Sequence, residues 1–255
     1  MKIGIIGTGA IGGTIAKKMA SAGHNVKVFN ADDEQKLKIR AEELGVYAST
    51  VTDVAKDVDV LIISLPTAVI ADLPREFIES IPEETIVVDT SNYYPFRDQS
   101  IDEIKQGKTE SIWVSDQLGK PVIKAFNNLL AETLLNKGKS EGAVNRIAMA
   151  IAGDSAKAKK IIADLANDAG FDTVDSGSLE DSWRQQPGTP AYCTELNAEE
   201  LQQALQEGDK EKAPVIRDYI ISQFTGNNDS PKSHEEIVSL NRDQFPINPK
   251  TRESK

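Results

Sequence analysis

Short branched apolar runs recur along the first 175 residues, and each is followed by a stretch with helical spacing. Lys2 to Ile6 is the first run and reads as a buried strand, with Ala10 to Ala20 continuing at helical periodicity. Asn25 to Asn30 predicts a second strand. Asp32 or Asp33 then caps a helix with Leu37, Ala41 and Leu44 as its apolar stripe, which Gly45 stops. Val46 to Ala48 is a brief third strand, and Thr52 or Asp53 opens a short helical stretch. The run from Asp59 to Ser64 is apolar without alternation, the signature of a strand covered on both faces. Leu65-Pro66 interrupts it, and Thr67 to Ser80 reads as helical in part. Thr85 to Asp89, Pro121 to Ala125, Arg146 to Ala152 and Phe171 to Asp175 complete the strands. Ser111 to Leu118 and a helix capped by Asp154 or Ser155 and running through Ala169 lie among them. Strands alternating with helices predict an α/β fold with a mostly parallel, doubly wound sheet over residues 1–175.

After Asp175 the pattern loses its period. Residues 176–195 are polar and turn-rich, Ala198 to Gln206 and Ala213 to Phe224 read as helices, and the last thirty residues read as a loosely ordered arm. Residues 176–255 therefore form a C-terminal extension of lid, helices and tail. In that tail Phe245-Pro246 and Ile247 could anchor on the body or on a second copy in a homodimer.

Between the first strand and the first helix lies Gly7-Thr8-Gly9-Ala10-Ile11-Gly12, a G-x-G-x-x-G in the strand-turn-helix context that gives it meaning. The first glycine permits the tight turn, the second lets backbone approach a pyrophosphate, and the third lets helix and strand pack closely. The helix N-terminus adds free N–H groups and partial positive charge. The sheet is thus of the Rossmann type, a dinucleotide is its expected ligand, and the other contacts should follow the carboxyl ends of the strands.

After the second strand comes Asn30, where an acidic residue would take the ribose diol of NAD and a following arginine the 2′-phosphate of NADP. Ala31 stands in the arginine's place, and Lys36 and Arg40, one helical turn apart, could swing towards a phosphate or remain solvated. Ser64-Leu65-Pro66 follows the fourth strand and could run beneath the riboses or merely end the strand. Asn92, after the fifth strand, could face the nicotinamide or close an Asx-turn. Ala125 and Asn127 follow the sixth strand. Asn127 either holds the nicotinamide carboxamide or caps a helix over residues 129–135.

Charge and composition trim the alternatives. The 255 residues are 39% hydrophobic and carry a formal net charge of −11, with no basic cluster, which argues against nucleic acid and acidic membrane surfaces as partners. One cysteine, Cys193, and two distant histidines, His24 and His234, give neither a disulfide framework nor metal spacing. No apolar run approaches the roughly 18 residues of a membrane span. A strand beginning at residue 2 leaves no room for a signal peptide, so a cytoplasmic location is expected.

Gly7-Thr-Gly-Ala-Ile-Gly12, Ser64-Leu-Pro66, Lys124-Ala-Phe-Asn127, Ala152-Gly-Asp154 and Asp175-Ser-Gly177 occur in order over residues 1–195. Together they resemble the NADP oxidoreductase, coenzyme F420-dependent family, which in turn resembles the reductase domain of the STEAP metalloreductases. The resemblance implies hydride transfer between NADP(H) and a deazaflavin (F420) or flavin-like acceptor. It places Asn127 beside the nicotinamide ring, and Trp183 and Arg184 in the segment that closes the acceptor pocket. NADP-using members carry Ser-Arg or Asn-Arg where this chain has Asn30-Ala31, so NAD(H) stays open. Two other readings remain: a reductase of a small imine or hydroxy acid, and a protein that senses NAD(P)H without catalysis.

Overall fold

In a computed structural model, residues 1–31, 33–224 and 232–245 are described. In chain order the first half carries β1 (Lys2–Ile6), α1 (Ala10–Ser21), β2 (Asn25–Phe29), α2 (Glu34–Leu44), β3 (Tyr47–Ala48), β4 (Val60–Ile63), α3 (Thr67–Ala71) and α4 (Arg75–Ser80). Then come β5 (Ile86–Asp89), α5 (Pro95–Asp98), α6 (Asp102–Lys105), α7 (Glu110–Leu118), β6 (Val122–Lys124) and α8 (Ala131–Asn136). The remainder holds β7 (Ala148–Ala152), α9 (Ala156–Asp168), β8 (Asp172–Gly177), a 3-10 turn (Glu180–Gln185), α10 (Ala198–Glu207), α11 (Ala213–Ser222) and α12 (His234–Asp243).

The eight strands form one sheet in the order β3-β2-β1-β4-β5-β6-β7-β8. All neighbours are parallel except β6 and β7, which meet antiparallel at Lys124 and Ala152. The doubly wound sheet expected from the alternation is thus present. From β1 the chain winds outward through β2 and β3, then returns to β4 and winds the other way. The crevice at the carboxyl ends of β1 and β4 is therefore the topological switch point, where such sheets take their ligands.

Period-two placement divides the core. Ile3 and Ile5 of β1 face one layer with Ile15 and Met19 of α1, while Ile6, Leu61 and Ile63 face the other with Phe77 and Trp113. Each buried branched side chain contributes about 1.5–3 kcal/mol, which is why these strands read as continuous apolar runs. A third cluster joins Ala148, Ala150 and Val174 of the far strands to Leu201, Ala204 and Leu205, so α10 covers β7 and β8. No helix among the described residues is long and apolar enough to cross a membrane.

Several local expectations change. The stretch after Thr52 is a series of turns rather than a helix. Asp33 is the residue that caps α2, its carboxylate accepting from the Gln35 N–H, while Asp32 lies outside the described residues. The helix after β6 starts at Ala131 with Leu130 as its N-cap, so Asn127 caps nothing. The tail region includes the helix α12, started by a reciprocal capping box between Ser233 and Glu236. Phe245 is described, whereas Pro246 and Ile247 are outside the described residues.

Candidate functional site

The glycine loop leaves β1 at the switch point and becomes the first turn of α1. Gly7 has φ +92°, and a Cβ there would sit 2.2 Å from the Ser64 carbonyl oxygen, so both conformation and space demand glycine. A Cβ on Gly12 would lie 2.0 Å from the Gly7 oxygen and 2.9 Å from Ser64 Cβ, which is the close helix–strand contact the motif predicts. Gly9 behaves differently. Its φ of −66° suits any residue, and a Cβ there would meet nothing within 4 Å. The chain itself does not require glycine at that point. A ligand lying against the backbone would require it, and the open space above Gly9 has room for a pyrophosphate.

Gly9 is the N-cap of α1 and offers no side chain, and the first turn carries no acid. The N–H groups of Ala10 and Ile11 therefore begin a 12-residue helix without a capping acceptor, an arrangement suited to phosphate oxygens. Thr8 is buried, and its hydroxyl accepts a 2.6 Å hydrogen bond from the Asn30 amide, which ties the loop to the end of β2. Lys36 is exposed on α2. Arg40 turns towards α1, its guanidinium 3.0 Å from where a Gly13 Cβ would be, and pairs with Glu43 at 3.1 Å. Arg40 and Lys17 line a groove of about 530 Å³ between α1, α2 and α8. Ser64 and Leu65 form the floor beneath Gly7 and Gly12, and Pro66 is the N-cap of α3. Two hydroxyls at this edge, Thr67 Oγ1 and Ser91 Oγ, are buried without a hydrogen-bond partner among the described residues, which is uncommon in a native interior.

The ends of β5 and β6 are joined by a buried ionic network. Asp89 accepts from Lys124 Nζ at 2.9 Å, from Ser111 Oγ at 2.7 Å and from the Ser91 N–H at 2.8 Å. Lys124 also donates to the Ser91 carbonyl, and the Ala125 N–H bonds the Asp89 carbonyl at 3.2 Å. Glu110 at the start of α7 accepts from the Tyr93 N–H at 3.0 Å. Burial pushes its carboxyl up to about 7, against the pull of Lys124, that N–H and Arg217, with Asp89 adding to the rise. Its folded-state value thus lies above the ordinary 4.5. Stability linked to Glu110 is fully present below about 4.5 and is lost as pH rises through about 7. Glu110→Gln should flatten the dependence of melting temperature on pH between 5 and 8, and thermal melts across that range check it.

Phe126, buried and at φ +59°, turns the chain sharply after Ala125 and delivers Asn127. The expectation of an Asn127 amide free for a carboxamide needs correction. Its Nδ2 donates to Asn92 Oδ1 at 3.0 Å and to the Gln185 carbonyl at 2.8 Å, and its Oδ1 accepts from Gln185 Nε2 at 2.8 Å. With 2% exposure and both donors engaged, Asn127 bolts the 3-10 turn and Asn92 onto the sheet edge. Asn92 returns a bond from its Nδ2 to the Asn127 carbonyl at 3.0 Å and stays half-buried, so it is the more accessible of the two. Gln185 extends the tie to the Ala150 carbonyl and the Ser176 hydroxyl.

Trp183 and Arg184, which the family resemblance sets in the segment closing the acceptor pocket, pack on each other and on α10. Arg184 stacks on the Trp183 ring at 4.6 Å and donates to the Leu205 carbonyl, and Gly208 packs against the same indole. Both side chains are half-buried, and Arg184 lines a groove with Asp175, Ser176 and Gln202. The 3-10 turn instead presents Gln185 to the edge, and the segment after it leads to Tyr192, whose hydroxyl meets that of Tyr94 at 2.7 Å. No local pattern in the sequence singles out Gln185, Tyr94 or Tyr192. Arg217 had a signal: it shares the buried stripe of α11 with Ala213 and Ile220, where an apolar residue is normal.

A Rossmann-type sheet with this loop at its switch point defines a dinucleotide-binding protein. The comparisons with known proteins narrow the class. Residues 2–93 match the family NADP oxidoreductase, coenzyme F420-dependent. The protein YjhV of Escherichia coli (strain K12) is 38% identical over 102 residues, which are 40% of this chain and 74% of YjhV. The chain belongs to this family of nicotinamide-dependent oxidoreductases. Among solved structures, the hypothetical protein SMa0349 from Sinorhizobium meliloti superposes with a TM-score of 0.66 at 28% identity, over 77% of this chain and 95% of that one. A candidate F420-dependent NADP reductase from Arthrobacter sp. FB24 gives 0.60 at 24% identity, over 71% and 87%.

Proposed function

We propose that the protein transfers a hydride between NADP(H) and an acceptor held at the carboxyl edge of the sheet, under the segment that Gln185 and Asn127 fasten. The observation that carries this is Gly9: the fold gives no reason for glycine there, and a bound pyrophosphate does. Family membership supplies the redox chemistry, and its description favours NADP. When bound, the nicotinamide nucleotide supplies or takes the hydride, with a proton exchanged to balance reduction of the acceptor. The residues of the chain do the rest. The glycine loop holds the pyrophosphate, Asn30 holds Thr8 in place, and Lys36 and Arg40 provide positive charge on the adenosine side. Ser64 to Pro66 and Ala125 support the riboses and nicotinamide from below. Asn92 faces the nicotinamide end, with Asn127 positioning it.

Hydride transfer between stacked groups depends on proximity and exclusion of water more than on an acid or base. That suits an edge built of amides and phenols. The acceptor class follows the family: a deazaflavin or flavin-like ring, or a smaller molecule in the same place. Absorbance at the reduced-nicotinamide band, with deazaflavin, flavin and small carbonyl acceptors offered in turn, tests the reading. Oxidation with one of them is expected, and tight binding without oxidation by any would make the protein a nucleotide sensor. Asn127→Leu should lower turnover at least tenfold while changing NADPH affinity less than threefold. Unchanged turnover would take Asn127 out of the mechanism.

A further inference from the structure

Beside the nicotinamide end lies a second cavity, of about 180 Å³. Tyr94, two residues after Asn92, and Leu130, three after Asn127, form its sheet-edge wall. Tyr192, Ile220, Ile237 and Asn241 bring in the lid segment, α11 and α12. The size is that of a cavity which takes a single ring: an engineered apolar hole of about 150 Å³ binds benzene. The lining is largely apolar, and burial raises the ionisations of Tyr94, Tyr192 and Cys193, so none of the three is an anion at neutral pH.

Among the described residues, one charged side chain lines this space. Arg217 is 8% exposed. Its Nε donates to Asp218 Oδ1 at 2.8 Å, and its guanidinium lies 5.5 Å from the Tyr93 ring centroid. Asp218 itself is 62% exposed and engages that one nitrogen. Glu110 acts on Arg217 electrostatically without a hydrogen bond to it. Among the described residues neither Nη atom has a hydrogen-bond partner. Only water in the open cavity is left to solvate the fork, which an anionic group could replace with two charge-assisted hydrogen bonds. The two parallel donors match a carboxylate, which a lysine's point charge would not. Asn241 adds a further donor, since its Nδ2 spends one N–H on the Ile237 carbonyl.

We infer that this cavity is the acceptor subsite and that it takes a small carboxylate whose apolar body bears a carbonyl or imine carbon. The carboxylate pairs with the Arg217 fork and the body lies against Ile220 and Ile237. The carbonyl or imine carbon takes the hydride while its oxygen or nitrogen takes a proton from water. The inference rests on the hydride-transfer reading above and deepens it: the acceptor becomes a small organic acid rather than a three-ring cofactor.

Benzoate and its neutral isostere benzamide are suitable probes, titrated calorimetrically into the protein saturated with NADP⁺. Benzoate should bind at least ten times more tightly than benzamide. Arg217→Gln should erase that preference, while Ile237→Trp, which fills the cavity from α12 and leaves the arginine intact, should abolish binding of both. Thermal melts and NADPH titration of each variant show that fold and nucleotide site persist, and if one variant does not fold, the other carries the test. No benzoate binding by the nucleotide-loaded protein, or binding unaltered by either substitution, would overturn the inference and leave the hydride-transfer reading standing. Failure of the wild-type protein to bind NADPH or NADH would take both.

Discussion

Lys124→Met is expected to lower the stability of the fold by about 3–5 kcal/mol, a loss of melting temperature on the order of 10 °C. The side chains of Lys124 and Asp89 are 1% and 0% exposed. Removing the ammonium leaves a carboxylate in the core with only the Ser111 hydroxyl and the Ser91 N–H to compensate it. The pair as a whole need not be stabilising, because two ions have been taken out of water to make it. Lys124→Met combined with Asp89→Leu should therefore recover much of the single variant's loss. Thermal and urea melts of the two single variants and the double variant measure the coupling. A Lys124→Met melting temperature within about 2 °C of wild type would show that the Asp89 carboxylate does not depend on Lys124 for its compensation. The consequence reaches the site, since Asp89 and Lys124 together shape the turn through Ser91 that carries Asn92.

Gly9→Val should separate binding from folding. Its backbone is extended, and a Cβ there would meet nothing within 4 Å beyond its chain neighbours, so the melting temperature should stay within about 2 °C of wild type. NADPH affinity should fall at least 100-fold, about 2.7 kcal/mol, because the new methyl groups occupy the approach of the pyrophosphate to the loop. Gly12→Val should lose both, since its Cβ would collide with the Gly7 carbonyl oxygen 2.0 Å away. Circular dichroism melts paired with nucleotide titration distinguish the two variants. Normal NADPH binding by Gly9→Val would mean that the ligand does not lie where the glycine leaves room.

The strands, α1, α2, α9, α10 and α11 were legible in the sequence because their signals are local. A branched run, an apolar stripe at helical spacing and a cap such as Ser155 lie within a dozen residues of one another. The glycine loop was legible for the same reason. The helix α12 was not read, although Ser233-x-x-Glu236 spells its capping box. Two of the three buried residues on its inner face are His234 and Asn241, so no apolar stripe announces it. It docks by polar contacts instead: His234 meets Glu195 at 2.7 Å and Arg242 donates to the Thr194 carbonyl.

The role of Asn127 was hidden for another reason. Its partners stand 35 and 58 residues away at Asn92 and Gln185, and no spacing rule connects such positions. Trp183 and Arg184 were placed by resemblance. Packing of the 3-10 turn on α10, with Gly208 opening room for the indole, decides where they point. Arg217 shows what a stricter reading of amphipathicity can find, because a charge on a buried stripe asks for a partner or a ligand.

Every functional role assigned to the sheet edge depends on the glycine loop holding a nicotinamide dinucleotide. Titration of the wild-type protein with NADPH and with NADH, followed by nicotinamide fluorescence, measures this. Saturable binding of NADPH, tighter than NADH and lost in Gly9→Val, is the predicted result; saturation by neither nucleotide would contradict it.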